Sequence, residues 1–268
     1  MWSTRTVAEF AFRSIEFGAR PAQRVKRDGA WHDVSYAEVG AAAVEVALGL
    51  VALGVRPGDR VCVLADTRPE WSPIQYGIAA AGGVTVPIYP SSSADECQWV
   101  IGDSGAVAVF CENAGQLAKV AQVAEALPEL RHTIVIDPDR AGTTTLAELR
   151  RAAVDRDVLD ERIAATRPDD PALIIYTSGT TGRPKGCVLT HRNMIAGVSM
   201  AEEMAVTRGD DVVYLFLPLA HVFAQIVQLG ATSMGAVIAY CSGGPSAIVP
   251  DCAEVRPTYL PAVPRIFE

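Results

Sequence analysis

Short β-branched apolar runs alternate with longer stretches of helical periodicity along this chain, and no other feature restricts its fold as much. Strand-like runs fall at 60–65, 84–88, 106–110, 133–137, 172–176, 211–216 and 236–240. Helical patterns fill the intervals at 36–53, 69–81, 94–104, 114–127, 193–205 and 221–234. Such alternation predicts parallel sheets flanked by helices, an α/β fold. Local signals agree. The Ala/Leu/Val-rich stretch 41–53 stops at Gly54, and Asp66-Thr67-Arg68-Pro69 supplies a turn with a proline suited to a first helical turn. Residues 141–170 break the rhythm with Gly142-Thr143-Thr144-Thr145, a charged helix and Arg167-Pro168-Asp169-Asp170-Pro171, and read as a surface excursion. No internal repeat or low-complexity tract is visible.

At 268 residues with half of them apolar, the chain has enough material for a large core. A formal net charge of −8 argues against nucleic acid or an anionic membrane as the main partner. The βα pattern would also suit a dinucleotide-binding oxidoreductase, but no G-x-G-x-x-G follows any of the strands. The six cysteines show no C-x-x-C spacing and the four histidines are scattered, so neither a disulfide framework nor a zinc site is expected. Cys62, Cys111 and Cys187 each sit among strand-like apolar residues and are expected to be buried. A reduced, cytoplasmic chain is the expectation. The N-terminus lacks the long apolar core of a secretory signal, and the longest apolar stretch, 226–241, is too short and mixed to span a bilayer. Peripheral membrane contact stays open.

The chemistry concentrates at 176–186, Tyr-Thr-Ser-Gly-Thr-Thr-Gly-Arg-Pro-Lys-Gly. Gly179 and Gly182 permit positive φ and let backbone N–H groups approach an anion. Thr177, Ser178, Thr180 and Thr181 add hydroxyl donors, and Lys185 adds a charge that reaches phosphate oxygens. The composition is that of a polyphosphate cradle. It is not a Walker A loop, because Lys185 is followed by Gly186 and the continuation Cys187-Val188-Leu189-Thr190 reads as a strand. The segment is therefore expected as an exposed loop between two strands, able to work as a flap over a nucleotide. Arg183 reads equally well as a phosphate contact or as a solvated cation at the loop tip. Cys187 has no base placed beside it by sequence and reads as a strand cysteine, not a nucleophile. Asp210-Asp211 reads as a helix-to-strand turn.

The segment 176–186 resembles the phosphate-binding signature of the AMP-forming adenylating enzymes: acyl-CoA synthetases, nonribosomal-peptide adenylation domains and luciferases. A second stretch, Leu217-Pro218-Leu219-Ala220-His221-Val222-Phe223-Ala224-Gln225, resembles the next motif in its long-chain fatty-acid–CoA ligase form. Many members carry Arg where this chain has Gln225. Asp66-Thr67-Arg68-Pro69-Glu70-Trp71, Val86-Pro87-Ile88-Tyr89-Pro90 and the stretch from Arg256 to Arg265 are similar to the same branch.

The resemblance implies ATP-dependent activation of a long-chain fatty acid through an acyl-adenylate to acyl-CoA, with Mg²⁺ and with CoA as co-substrate. It implies that Thr177, Ser178, Gly179, Thr180, Thr181, Gly182 and Lys185 bind the nucleotide phosphates, with Lys185 and His221 as the catalytic candidates. His221 would flank the reacting carboxylate. On the residues alone, a histidine beside apolar neighbours is ordinarily a core histidine bonded to backbone; the motif around it points to a functional place. The family pattern continues with a Tyr-Gly-x-Thr-Glu segment whose Glu helps hold Mg²⁺, a Thr-Gly-Asp that binds ribose, and a C-terminal domain with a catalytic lysine. None of these occurs here, so residues 1–268 read as the N-terminal part of an adenylation domain, inactive alone. A separate chain supplying the rest, an amino-acid or aryl-acid adenylation fragment, and a non-catalytic binding module stay open as alternatives.

Overall fold

The computed structural model describes residues 5–137, 143–177, 182–204 and 207–263. In chain order, α1 (Phe10–Glu16) precedes a hairpin of β1 (Pro21–Arg27) and β2 (Ala30–Ser35), then α2 (Tyr36–Ala52). β3 (Arg60–Leu64), α3 (Trp71–Ala80), β4 (Val84–Ile88), α4 (Ala94–Ser104), β5 (Ala106–Cys111), α5 (Ala114–Gln122) and β6 (His132–Val135) follow. Next come β7 (Thr144–Thr145), α6 (Leu146–Leu149), α7 (Asp157–Ala165), β8 (Pro171–Thr177), β9 (Lys185–Thr190) and α8 (His191–Glu203). β10 (Val212–Leu215), α9 (Val222–Met234), β11 (Val237–Tyr240) and α10 (Ile248–Val255) end the described chain.

The strands form a seven-stranded sheet in the order β7-β6-β5-β3-β4-β8-β9 and a four-stranded sheet in the order β10-β11-β1-β2. Pairing is parallel except within the hairpins β1–β2 and β8–β9. Both faces of the central strands are buried, which is why they read as continuous apolar runs. Along β3, Val61 and Val63 enter the core between the sheets, while Cys62 and Leu64 pack on the opposite side against α4 residues Cys97, Val100 and Ile101. In the smaller sheet, Val213, Leu215, Ile238 and Tyr240 join the same central core, and Tyr214 and Ala239 pack outward near Val255 of α10. Five layers result: α4 and α5, the large sheet, a helical layer with α2, α3 and α9, the small sheet, and α10.

The helical layer is thin because glycines line its contacts. A Cβ on Gly77 of α3 would lie 2.7 Å from Val46 Cγ1 and 2.8 Å from the Ala43 carbonyl oxygen of α2. Helix starts follow short-range rules. Ser35 with Glu38, Ser93 with Glu96 and Thr145 with Glu148 form reciprocal capping boxes.

The expected α/β class holds, and the predicted strands fall within a residue or two of the observed ones. Two differences stand out. The β1–β2 hairpin carries no apolar alternation, yet Asp28 and Gly29 both adopt positive φ, 50° and 79°, which is the two-residue turn that matches strand twist. Residues 143–170 form more than a surface excursion: Thr144 and Thr145 pair with β6, and Leu146, Leu149 and Leu159 are buried.

Candidate functional site

The signature segment joins β8 to β9, an antiparallel pair at the end of the large sheet. β8 runs parallel to β4, so the connection leaves the sheet at the carboxyl end of its parallel strands, where open α/β sheets bind ligands. Thr177 and Lys185 are register partners, facing each other across the hairpin, and seven residues separate them in sequence. Both are exposed, as is Gly182, whose φ of 105° is accessible to glycine and strained for other residues. Ser178, Gly179, Thr180 and Thr181 lie outside the described residues.

Side-chain alternation decides which way the hairpin presents its groups. Leu173 and Ile175, four and two residues before Thr177, enter the central core with Met194 and Val198 of α8 and Ala224 and Leu229 of α9. Thr177 and Lys185 are therefore on the α8–α9 face. Ile174 and Tyr176 pack on the other face, against the core under α4. Gly186 is needed there, because a Cβ would lie 2.9 Å from Ile174 Cγ2 and 3.2 Å from the Tyr176 ring. The Tyr176 hydroxyl donates to Asp103 at 2.6 Å, and burial together with that carboxylate pushes its pKa up, so it stays protonated. The Trp99 indole N–H donates to the Pro184 carbonyl at 2.8 Å, and the Arg183 guanidinium lies 4.6 Å from the Trp99 ring centroid. Arg183 thus rests on α4, and is not a free cation at the loop tip. Trp99 and Asp103 were not legible as site residues. Trp99 lies 85 positions from its partner, and its only signal is a large aromatic on a helix otherwise rich in acids.

His221 is the N-cap of α9, exposed, with Nδ1 accepting the Phe223 backbone N–H at 3.2 Å. It is neither a core histidine nor in any hydrogen bond to Lys185 among the described residues; Nε2 remains for a ligand. The turn before it is fixed from two sides. The Thr67 hydroxyl, just after β3, donates to the Leu217 carbonyl at 2.7 Å and accepts from Leu219 N–H at 3.0 Å. Gln225 is fully buried and its amide donates to the Leu219 carbonyl, so the departure from Arg serves to hold the turn. Beside this turn, a cleft of about 790 Å³ separates the carboxyl ends of the two sheets, lined by Asp66 and Arg68 after β3, Tyr89 after β4, Leu219 and Ser242. Arg68 is engaged there by Asp137, Glu70 and Glu112.

Cys62, Cys97 and Cys111 are buried, and burial pushes their thiols up, to about 11 for Cys97 and about 12 for Cys111. Cys187 departs from expectation: it is exposed, because β9 is the last strand of its sheet and helices cover little of it. Asp211 accepts the Arg208 N–H and the Thr258 hydroxyl, which fits the expected turn. Among the described residues no group of three or more His, Cys, Asp or Glu could hold a metal ion. A magnesium ion carried on nucleotide phosphates needs only one or two protein carboxylates, and these residues are assigned no such role. No helix among them is long and apolar enough to cross a membrane.

Comparison with known proteins places this geometry. Long-chain-fatty-acid–CoA ligase FadD15 of Mycobacterium bovis is 41% identical over 245 residues, covering 90% of this chain and 40% of the relative. The chain thus spans about two fifths of that curated relative's length. The structure of Mycobacterium smegmatis MbtA superposes with a TM-score of 0.84 at 27% identity, covering 99% of this chain and 49% of that one. The N-terminal domain of FACL13 from Mycobacterium tuberculosis gives a TM-score of 0.78 at 26% identity, covering 98% and 64%. The family model described as AMP-binding enzyme matches residues 15–268, and the chain belongs to that family.

Proposed function

We propose that this chain supplies the phosphate-gripping part of a long-chain fatty-acid–CoA ligase, which activates its acid as an acyl-adenylate with ATP and passes it to CoA. The observation that carries the reading is the β8–β9 hairpin, in which Thr177 and Lys185 frame a Gly/Thr-rich connection at the carboxyl edge of a parallel sheet. In the proposal Thr177, Ser178, Gly179, Thr180, Thr181, Gly182 and Lys185 hold the β- and γ-phosphates. Their contribution is positioning and charge neutralisation while an acid carboxylate approaches the α-phosphate. His221, on the same side of the sheet as Lys185, flanks that carboxylate through Nε2. Magnesium travels with the nucleotide in such reactions; the described residues assign it no site, and no step is routed through it.

Residues 1–268 are proposed as one piece of an adenylation domain. Ribose recognition and the later steps are assigned to a longer polypeptide or a partner chain, since the similar ligases are much longer. The test is fatty-acid-dependent ATP–pyrophosphate exchange, run on this chain and on an extended form that includes the remaining family motifs. The extended form should exchange with long-chain acids and this chain should not. Lys185→Ala in the extended form should cost ~2–4 kcal/mol of transition-state stabilisation with little effect on fatty-acid binding. Exchange within a factor of two of wild type would remove Lys185 from its role. Exchange driven by amino or aryl acids would replace the substrate class.

A further inference from the structure

We infer that Trp99 is a positioning residue for the phosphate loop, acting on Lys185 through Pro184 and Arg183; this rests on the phosphate site proposed above. Two residues one helical turn apart on α4, Trp99 and Asp103, reach the two limbs of the β8–β9 hairpin. Asp103 takes the Tyr176 hydroxyl at 2.6 Å, on the residue before Thr177. Trp99 holds the Pro184 carbonyl at 2.8 Å, on the residue before Lys185. Each tie is thus one residue from one of the register partners that frame the loop.

α4 is a firm base for this bracket. It starts at a reciprocal Ser93–Glu96 cap, ends at Gly105 in the left-handed conformation, and buries Cys97, Val100 and Ile101 under the large sheet. Trp99 packs at the edge of that core, so its ring is held by neighbours as well as by its hydrogen bond. Pro184 has a fixed φ, and Trp99 fixes its carbonyl, so the peptide leading into Lys185 has little freedom. Arg183 stacked on the same indole places its cation on the α4 face, opposite the face that Lys185 occupies. The bracket therefore aims one cation at the ligand side and keeps the other away from it. Groups preorganised on a rigid element, and not left to a loop, are what phosphate positioning requires.

The test uses two readouts on the 268-residue chain. One is the rate of limited trypsin cleavage after Lys185, mapped by mass spectrometry; the Arg183–Pro184 bond is a poor trypsin site and does not interfere. The other is affinity for inorganic tripolyphosphate by calorimetry. Trp99→Phe keeps a ring for Arg183 but loses the N–H, and should raise cleavage and weaken tripolyphosphate binding by about fivefold, the order of one hydrogen bond. Trp99→Leu loses both and should exceed it. Arg183→Gln should add little to Trp99→Leu, because the two act as a unit. Ile101→Ala, on the same helix but buried under the sheet and not lining the cleft that Trp99 shares with Arg183 and Pro184, is the control: it should lower the melting temperature and leave both readouts in place. Unchanged readouts in Trp99→Leu, or equal shifts in Ile101→Ala, would overturn the positioning role. If the wild-type chain binds no tripolyphosphate while Trp99→Leu still speeds cleavage, the phosphate site falls and the positioning role with it, although the contact itself is real.

Discussion

His191 follows directly on β9, and its surroundings show why a histidine near the candidate site need not serve it. Its Nδ1 accepts the Val7 backbone N–H at 3.1 Å, tying the N-terminal segment to α8. It is 2% exposed, and burial pushes its pKa down from 6.5 to about 4, against a weaker opposing pull from Asp170. The unfolded chain takes up this proton near pH 6.5 and the folded chain only near 4. Between those values the unfolded state binds more protons, so this contribution is complete above pH 6.5 and is lost as pH falls through the window. The amount is on the order of 3 kcal/mol. Urea midpoints of wild type and His191→Gln, whose amide oxygen can still accept from Val7, should converge as pH falls from 6.5 to 4, because only the wild type loses stability through this group. Parallel curves would show that His191 does not carry the effect. At this scale the sequence pointed to Lys185 and His221 as candidates but not to the residues that hold the chain around them. Thr67, Trp99 and Gln225 act through backbone atoms that only the tertiary fold brings near.

Helices and strands were more readable than their contacts, for a local reason. α4 matches its predicted bounds because Ser93, Glu96 and Gly105 write both ends into neighbouring residues. β1 and β2 escaped because polar and charged residues, Gln23, Arg24, Lys26 and Arg27 in β1 and His32, Asp33 and Ser35 in β2, break up their apolar positions, and only Asp28-Gly29 marked the turn. The glycines of the helices were ambiguous in sequence, since the cost of a helical glycine says nothing about what crosses it. Structure separates two of them. Gly77→Ala should gain up to ~1 kcal/mol of helix propensity, but the new methyl meets a backbone oxygen 2.8 Å away, and overpacking of about 1–3 kcal/mol wins. Gly230 in α9 has nothing within 4 Å of its would-be Cβ, so Gly230→Ala should stabilise by about 0.5–1 kcal/mol. Thermal or urea unfolding of the two variants should move in opposite directions; a shared direction would contradict the packing described for the helical layer.

Across the whole molecule, one continuous core joins the two sheets, since Val61 and Val63 of the large sheet and Val213 and Ile238 of the small one belong to it together with α2, α3 and α9. Unfolding should accordingly be a single transition, with near-ultraviolet and far-ultraviolet circular dichroism coinciding. Separated midpoints would mean that the sheets melt independently. The layered class was legible in the alternation of apolar runs, whereas the order of the strands was not, because parallel neighbours are chosen by crossovers that leave no mark in either strand. The last strand of the large sheet has a practical consequence. Three thiols, Cys62, Cys97 and Cys111, are sealed, Cys241 and Cys252 are partly open, and Cys187 is open to solvent. A maleimide added to the native protein should therefore react first at Cys187. That residue lies two positions from Lys185 on the same face of the strand, roughly 7 Å along it. A dye placed there would report on whatever binds beside the lysine, without a new cysteine having to be introduced.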